Sequence, residues 1–209
     1  MIFTTAFNHG GLYYYKLHKK KLDNLCGVDS KLKDFLHKVP SICPNDYFFK
    51  GPRSSVLKID IETDVKNVVH DIVLLARIGL ESNYYNNAHM NVQSFMLAYD
   101  NNTVAMEVPI WLEPEEMELF EHLFEKEGPL SGHIDVLRIE QDGKIWVWDF
   151  KPKAHLEKYA HTQTFFYAYM LSKRTNIPLS EFRCGYFDDK NTYIFNPNES
   201  NLLKNLKFK

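Results

Sequence analysis

Cysteine is scarce in this chain, and its spacing indicates no thiol-based site. Three cysteines occur among 209 residues, at Cys26, Cys43 and Cys184, and no two of them form a C-x-x-C pair. Three thiolates cannot complete a four-thiolate iron–sulfur cluster, and a zinc-binding cysteine pair is missing. Thiols of this kind are typical of a reducing compartment, where cysteine is buried as a small apolar residue. We therefore expect no iron–sulfur cluster and a cytoplasmic location.

Long apolar runs, low-complexity tracts and internal repeats are also missing. No stretch approaches the ~20 apolar residues that a membrane-spanning helix needs, and the first nine residues lack the charged and then apolar layout of a secretory signal. The net charge of −2 does not exclude nucleic acid, since a basic groove can coexist with an acidic remainder. The chain has 209 residues and 44% hydrophobic composition. We therefore expect one intracellular domain with its own core and no membrane partner.

The most informative feature that is present is a carboxylate and an ammonium two residues apart. Asp149-Phe150-Lys151 closes the apolar run 144–148, which predicts a strand, and side chains at i and i+2 share one face of a strand. A second β-rich run covers 132–139, and the turn residues between the two runs predict a hairpin. Asp135 and Asp149 are therefore expected to meet across this hairpin.

Two carboxylates beside a lysine suit a particular chemistry. Oxygen ligands hold a hard divalent cation such as Mg²⁺, which takes its remaining ligands from water and phosphate. An ammonium in the same place stabilises the negative charge that develops in phosphodiester hydrolysis. A D-x-K triplet is common by chance, however. The alternative interpretation is an exposed ion pair at a strand end, worth ~0–1 kcal/mol.

The next segment, 156–171, predicts a helix on which Gln163 and Tyr167 share a face at i,i+4 spacing. The chain thus carries, in order, G-x-x-D ending at Asp135, D-x-K from Asp149 to Lys151, and Q-x-x-x-Y. In this order of motifs it resembles the PD-(D/E)xK nuclease superfamily, and specifically the RecB-like exonuclease branch. The resemblance implies an α/β fold with a restriction-endonuclease-like core, that is, a central mixed β-sheet flanked by helices. It also implies an Mg²⁺- or Mn²⁺-dependent nuclease acting on DNA.

The resemblance assigns roles to the motif residues. Asp135 and Asp149 would bind the metal, and Lys151 would position or help to activate water and stabilise the transition state. Gln163 and Tyr167 would orient the site and contact the DNA backbone near the cleaved phosphate. Tyr167 has an alternative role as a core aromatic whose hydroxyl is satisfied locally. Further phosphate contacts are expected from two lysines that flank the D-x-K strand and the helix, Lys153 and Lys158.

Two further metal ligands are suggested by the same resemblance. The branch has a histidine on an early helix, and His70 within the apolar segment 68–75 resembles it, with His89 as the alternative. The branch also has a glutamate followed by proline on an early strand, and Glu107 in Met106–Ile110 looks like that piece. The alternative for Glu107 is an exposed glutamate on a half-buried strand.

The resemblance covers roughly residues 64–171, and the chain departs from it in places. The proline of the family motif is replaced by Ile134, and the second acid is Asp149 where many members carry glutamate; both changes keep a carboxylate. The chain is similar to CRISPR-associated exonucleases of the branch, but those that bind an iron–sulfur cluster use four cysteines. The two tryptophans that alternate with Asp149 on its strand, Trp146 and Trp148, are expected to pack under helices.

We divide the chain at residue 60. Residues 1–60 are expected to form an N-terminal subregion packed on the core. Its Tyr and Lys cluster at 13–21 predicts either a helix with a basic face or a surface that stacks bases and neutralises phosphates. Residues 61–209 are expected to form the nuclease core, with a helical insertion near 113–130 whose glutamates make a solvated face.

Four elements of the core can be placed from the pattern. A helix is predicted from Thr63 or Asp64 to about Gly79, with His70 beside its apolar stripe. The segment 93–99 fits a strand or a helix equally. A late strand pair is predicted at 182–187 and 192–195.

The motifs predict a metal-dependent DNA nuclease, with an exonuclease favoured. The alternative is an inactive nuclease-fold module that binds DNA or a protein, and a third possibility is an unrelated α/β domain with chance motifs. Convergence of Asp135, Asp149 and Lys151 separates the last from the others. Exonuclease or endonuclease action, polarity, strand preference and a homo-oligomeric state stay open. A compact nuclease of this kind is compatible with DNA repair or recombination, including in a virus or mobile element.

Overall fold

The structure, a computed structural model, describes residues 1–25, 29–124 and 128–206. Within these ranges one eight-stranded mixed sheet has the order β1-β2-β4-β5-β6-β7-β8-β3. The pair β6–β7 is parallel and the other neighbours are antiparallel. The strands are β1 (Ile2–Asn8), β2 (Leu12–His18), β3 (Lys66–Asn67), β4 (Thr103–Trp111), β5 (Ser131–Ile139), β6 (Ile145–Phe150), β7 (Phe182–Phe187) and β8 (Thr192–Phe195).

Helices cover both faces of this sheet, so the predicted α/β fold with a central mixed sheet and flanking helices is confirmed. The α-helices are α1 (Lys19–Asn24), α2 (Ser30–Ile42), α3 (Tyr47–Lys50), α4 (Ile72–Ser82), α5 (Ala88–Tyr99), α6 (Ala160–Thr175) and α7 (Asn201–Leu206). Short 3₁₀ segments lie at Ser54–Val56, Ala154–Leu156, Leu179–Glu181 and Pro197–Glu199, and a longer one of ten residues lies at Pro114–Leu123. In the described part of the chain, no helix is long and apolar enough to cross a membrane.

The predicted hairpin forms the centre of the sheet. β5 pairs antiparallel with β6, and Gly143 turns the chain between them with φ = 74°, a conformation that glycine adopts without strain. β6 then pairs in parallel with β7 through the crossover that contains α6. Both central strands are buried along nearly their whole length because helices cover the two faces.

The two faces carry different helices. α6 packs on one face, and its buried residues run from Ala160 to Leu171, which makes it the central helix of the larger core. α4 and α5 cover the other face, where Trp146 and Trp148 pack with Ile72 and Met96. The expectation that the two tryptophans lie under helices is therefore confirmed.

One predicted helix begins later than the sequence pattern indicated. The helix predicted from Thr63 or Asp64 starts at Ile72, and the residues before it are extended because β3 pairs with β8 and the Val68 N–H donates to the Thr192 carbonyl. His70 consequently precedes α4, and its Nδ1 accepts a hydrogen bond from the Ile72 N–H. The first residues of the predicted helix therefore lie along the edge of the sheet instead.

The structure also places the other predicted segments. The ambiguous segment 93–99 is helical, within α5, and the late strand pair is present as β7 and β8. The tyrosines of the 13–21 cluster lie on β2, and helix α1 begins after them. The segment near 113–130 contains a 3₁₀ run, and residues 125–127 of it lie outside the described residues. The division at residue 60 stays a prediction; β1 and β2 belong to the same sheet as the later strands.

Candidate active site

Strand register brings three carboxylates side by side. Val136 pairs with Trp148 across β5–β6, which sets Asp135 opposite Asp149. On the other side of β5, the paired residues flanking Glu107 set it opposite Asp135 in the same way. Three acids on three adjacent strands, Glu107, Asp135 and Asp149, thus form a row across the middle of the sheet. Side chains directly opposite one another in this way lie within contact range.

The lysine of the D-x-K triplet lies beside this row. Lys151 Nζ is 2.8 Å from Asp149 Oδ2, and the backbone N–H of Lys151 donates to Phe187 on β7, which fixes the strand end. Lys151 Nζ also donates to Gln163 Oε1 over 2.9 Å. The amide of Gln163 donates to Asp149 Oδ1 over 3.1 Å and to the Tyr167 hydroxyl over 2.6 Å. The motif residues of β6 and α6 are therefore joined in one hydrogen-bonded group.

Burial distinguishes this triplet from a chance one. The side chain of Asp149 is 1% exposed and that of Lys151 is 19% exposed. Among the other D-x-K triplets of the chain, Asp64-Val65-Lys66 also forms an ion pair, which spans 3.1 Å with 69% and 65% of the two side chains exposed. This exposed triplet matches the strand-end pair considered from sequence, and Asp149-Phe150-Lys151 does not.

Crowding and burial alter the ionisation of the acids. Burial, and next the charge of Asp135, raises the pKa of Asp149 to about 7. Burial, and next the charge of Glu107, raises the pKa of Asp135 to about 7. Burial also raises the pKa of Glu107 to about 7, against the hydrogen bond from Gln93. For Lys151, burial opposes the ammonium, but the charges of Asp149 and Asp135 outweigh it and the pKa is raised. Clustered, buried carboxylates with raised pKa values are typical of functional sites.

Glu107 has an unusual backbone. Its φ is +50°, in the left-handed region that residues other than glycine disfavour by about 1–3 kcal/mol. Gln93 on α5 donates from Nε2 to Glu107 Oε1 over 2.8 Å and holds the side chain. Glu107 is half-buried and lines the same cavity as Asp135 and Asp149. The structure therefore brings Glu107 to the other acids.

The two candidate histidines are placed differently. His70 does not reach the acids: its Nε2 lies 3.1 Å from Glu140 Oε2, beyond the end of β5, and its ring packs near the two tryptophans. Its early position in the chain resembled the family histidine, but it precedes α4 and faces Glu140. His89 on α5 lines the cavity, 5.1 Å from the Phe150 ring. Burial lowers the pKa of His89, against the raising effect of the nearby Asp149 charge.

Tyr167 combines the two roles weighed from sequence. It is 3% exposed and its ring packs in the core, while its hydroxyl accepts from Gln163 and it lines the cavity. Gly132 explains this approach, since a Cβ there would lie 2.5 Å from the Tyr167 ring and 2.4 Å from Ser54 Oγ. The glycine of the G-x-x-D motif is thus needed to admit Tyr167 and Ser54.

The two predicted phosphate-binding lysines are peripheral. Lys153 and Lys158 are exposed on the connection between β6 and α6 and do not line the cavity. Lys158 Nζ lies 5.2 Å from the centroid of the Tyr159 ring.

The acids, Lys151, Gln163 and Tyr167 line a single cavity of about 310 Å³. Sequence reasoning missed three of its polar residues, Arg53, Gln93 and His133. His133 shares a strand face with Asp135 at i+2, and Gln93 shares a helix face with His89 at i+4, so both had a signal in the periodicity. Arg53 lies in an irregular segment and had none.

The cysteines lie away from this cavity as far as they are described. Cys43 is half-buried and Cys184 is buried, and both are free thiols. Burial raises the pKa of each, which disfavours a reactive thiolate. Cys26 lies outside the described residues, so the expected absence of an iron–sulfur cluster stays a prediction.

The mixed sheet and the acidic, lysine-containing cavity define an α/β protein with a restriction-endonuclease-like core. A family model described as the PD-(D/E)XK nuclease superfamily matches residues 52–204. This range is nearly three quarters of the chain and contains all the motif residues from Gly132 to Tyr167. The chain therefore belongs to the PD-(D/E)XK nuclease superfamily, a family of nucleases that generally use divalent metals such as Mg²⁺. No curated protein sequence matches the chain.

Proposed function

We propose that this protein is a metal-dependent deoxyribonuclease of the RecB-like exonuclease branch, which hydrolyses phosphodiester bonds of DNA inside the cell. The observation that carries the proposal is the meeting of Glu107, Asp135, Asp149 and Lys151 in one cavity. A buried row of acids has a folding cost, which a purely structural domain would have no reason to keep. A homo-oligomeric state remains a prediction.

The donor set suits a hard divalent cation. The acids offer oxygen ligands, and Asp149 Oδ2, despite its ion pair with Lys151, accepts no hydrogen bond of normal geometry from a described residue. Carboxylates whose pKa is raised by burial and by mutual repulsion gain from a cation between them. We assign Asp135 and Asp149 as ligands of Mg²⁺ or Mn²⁺, and Glu107 as an additional candidate ligand.

Metal binding requires some rearrangement of the present contacts. Among the described residues, no group of three or more His, Cys, Asp or Glu side chains is in position to hold a metal ion. Asp135 Oδ2 accepts from the Phe150 N–H, and Asp149 pairs with Lys151. The carboxylates would therefore exchange part of these contacts for the ion. When bound, the metal supplies Lewis-acid stabilisation of the phosphate charge.

The chain's own groups do the rest of the chemistry. The Lys151 ammonium would stabilise the charge on the phosphate oxygens in the transition state and orient the attacking water. Gln163 holds Lys151 and Asp149 at a fixed separation, because its amide bonds to both. Tyr167 would contact the DNA backbone next to the cleaved bond. Lys153 and Lys158 would add outer phosphate contacts that salt weakens.

The direct test is degradation of end-labelled linear DNA and covalently closed circular DNA with Mg²⁺, Mn²⁺ or EDTA. We expect cleavage of the linear substrate with either metal, none with EDTA, and sparing of the circle, which marks an exonuclease. Asp149→Ala should abolish cleavage, whereas Asp64→Ala in the exposed triplet should not. Cleavage of the circle would make the protein an endonuclease. Binding of DNA without cleavage under every condition would make it an inactive nuclease-fold module.

A second prediction concerns the histidines. We expect His89→Ala to raise the Mn²⁺ concentration needed for half-maximal cleavage by about 10–100-fold, the usual effect of removing a group beside a metal site. His70→Asn should change that concentration by no more than about twofold, because His70 lies against Glu140 and away from the acids. A titration of cleavage rate against Mn²⁺ concentration measures both. The reverse order of effects would return the ligand role to His70.

A further inference from the structure

Arg53 brings a positive charge to the cavity that the three acids line. Its charge acts on Glu107 at a distance, but it forms no salt bridge with a described residue. Its Nη1 donates to the His9 carbonyl over 2.8 Å and its Nη2 donates to His133 Nδ1 over 2.9 Å. A guanidinium has five N–H donors, so further donors are free for a ligand.

The hydrogen bonds behind Arg53 have a single direction. Because Arg53 donates to His133 Nδ1, the neutral His133 ring carries its proton on Nε2 and donates to His9 Nδ1, 2.9 Å away. His9 then carries its proton on Nε2 and donates to Asn45 Oδ1, also over 2.9 Å. Each ring nitrogen of the two histidines therefore has a hydrogen-bond partner, and Cys43 Sγ also lies 4.0 Å from His9 Nε2. We call the four residues Arg53, His133, His9 and Asn45 the histidine relay.

Packing fixes the histidine relay in place. His9 is fully buried and stacks on Phe48 at a centroid distance of 3.6 Å and an interplanar angle of 11°. His133 is 3% exposed and stacks on Tyr13 at 3.9 Å and 8°. His9 is therefore buried although its neighbours in the β1–β2 turn, Asn8, Gly10 and Gly11, are exposed. Arg53 is held in one orientation before any ligand arrives, which reduces the entropic cost of binding.

The chemistry of this arrangement fits a phosphate group. A preoriented guanidinium fork recognises the oxygens of phosphate in bidentate fashion, and a lysine cannot reproduce that geometry. Arg53 also lines the same cavity as the acids, so a nucleic acid bound at the acids would also face the guanidinium. We propose that Arg53 binds a phosphate of the nucleic acid other than the cleaved one, and that His133, His9 and Asn45 are positioning residues for it. This inference rests on the proposed function.

The bound group is either a phosphodiester within the strand or a phosphate monoester at its end. Both groups offer the same phosphate oxygens to Arg53. Oligonucleotides with different ends distinguish the phosphodiester from the terminal monoester. Binding should be measured by fluorescence anisotropy in EDTA, which separates it from cleavage. The probes are matched single- and double-stranded oligonucleotides with a 5′-phosphate, a 5′-hydroxyl, a 3′-phosphate or a 3′-hydroxyl.

We expect Arg53→Gln to raise the Kd for DNA about tenfold, as loss of one charge-assisted contact does. The slope of log Kd against log salt should fall by about one unit. Arg53→Lys keeps the charge and should keep the salt slope while losing affinity. Arg77→Gln is the control, because Arg77 is exposed on α4 and does not line the cavity.

The outcomes separate the sources and the hypotheses. A preference of wild type for one phosphorylated end, lost in Arg53→Gln, identifies the terminal monoester; an equal loss for all ends identifies the phosphodiester. Unchanged affinity and salt slope in Arg53→Gln, with a wild type that binds and cleaves, overturns this inference alone. A wild type that neither binds DNA in EDTA nor cleaves it with Mg²⁺ or Mn²⁺ overturns the proposed function as well.

The positioning role has its own test. His9→Phe keeps the stack on Phe48 and the backbone carbonyl that Arg53 contacts, but it removes both ring nitrogens. His133 then loses its partner, and the orientation of Arg53 through His133 is less fixed. In a folded variant, verified by circular dichroism, we expect a higher Kd with an unchanged salt slope, because the charge stays. A KM increase without a matching fall in kcat should accompany it. Wild-type affinity in His9→Phe would mean that the His9 ring does not position Arg53, and the positioning role would be wrong.

Discussion

Replacing Lys151 with methionine is expected to lower the rate of DNA cleavage by about 10²–10³-fold, the usual effect of removing one preorganised electrostatic group from an active site. Methionine keeps most of the length of the side chain and removes its charge. Lys151 is the cation beside Asp149, at 2.8 Å, and it also holds Gln163. Its loss leaves the acids without their counter-charge, so it raises their pKa further and loosens the contact between β6 and α6.

The matched control is Lys66→Met. Lys66 occupies the same position in the exposed triplet, where the ion pair is worth only ~0–1 kcal/mol. Initial rates on linear DNA at saturating Mg²⁺ should therefore be unchanged in Lys66→Met. Full activity in Lys151→Met would mean that another group stabilises the phosphate charge, and the D-x-K motif would then be structural.

The part of the site that follows from local periodicity was predictable from the sequence. Strand parity set Asp149 and Lys151 on one face, and the hairpin set Asp135 opposite Asp149. Helical spacing set Gln163 and Tyr167 on one face of α6. In each case the residues that determine the geometry are close in sequence, so the pattern alone constrains it. The sheet with flanking helices follows from the same alternation of elements.

The part that depends on distant contacts was not predictable. His9 and His133 are 124 positions apart, and their contact requires β1 and β2 to join the sheet beside β4. The apolar pattern from residue 65 onward fits a helix, but competition from the edge of β8 converts its first residues to an extended segment. That change moves His70 off the helix. Local sequence patterns cannot predict this competition between helix formation and strand pairing, because the pairing requires β8 to be in place.

The acidic row also decides how stability responds to pH. The ordinary pKa of an aspartate is 3.8, and burial with the Glu107 charge raises that of Asp135 to about 7. Between these values the folded state holds a proton that the unfolded state has released. Stability contributed by this group is therefore present at low pH and is lost as pH rises through about 7. This direction is opposite to that of an aspartate in an ordinary salt bridge.

Asp135→Asn is accordingly expected to be more thermostable than wild type at about pH 8 in EDTA. Asparagine can still accept the hydrogen bond from the Phe150 N–H, and its neutrality relieves the repulsion on Asp149 and Glu107. A gain of about 2 kcal/mol corresponds to a Tm rise of about 4–8 °C in a chain of this size. At about pH 5 the folded wild type is already protonated at this site, so the difference should shrink. Thermal unfolding followed by circular dichroism at both pH values measures it.

With Mg²⁺ or Mn²⁺ at about pH 8, wild type should become more thermostable than Asp135→Asn. A divalent ion that binds the folded wild type raises its Tm by mass action, most strongly at about pH 8 where the acids are ionised. Asp135→Asn removes one assigned ligand and should respond much less. Asp64→Asn, which changes an exposed carboxylate, should follow wild type at every pH with and without metal. If Asp135→Asn gains stability in EDTA but wild type shows no response to either metal, the acids repel one another without holding a cation, and the metal-dependent mechanism is wrong.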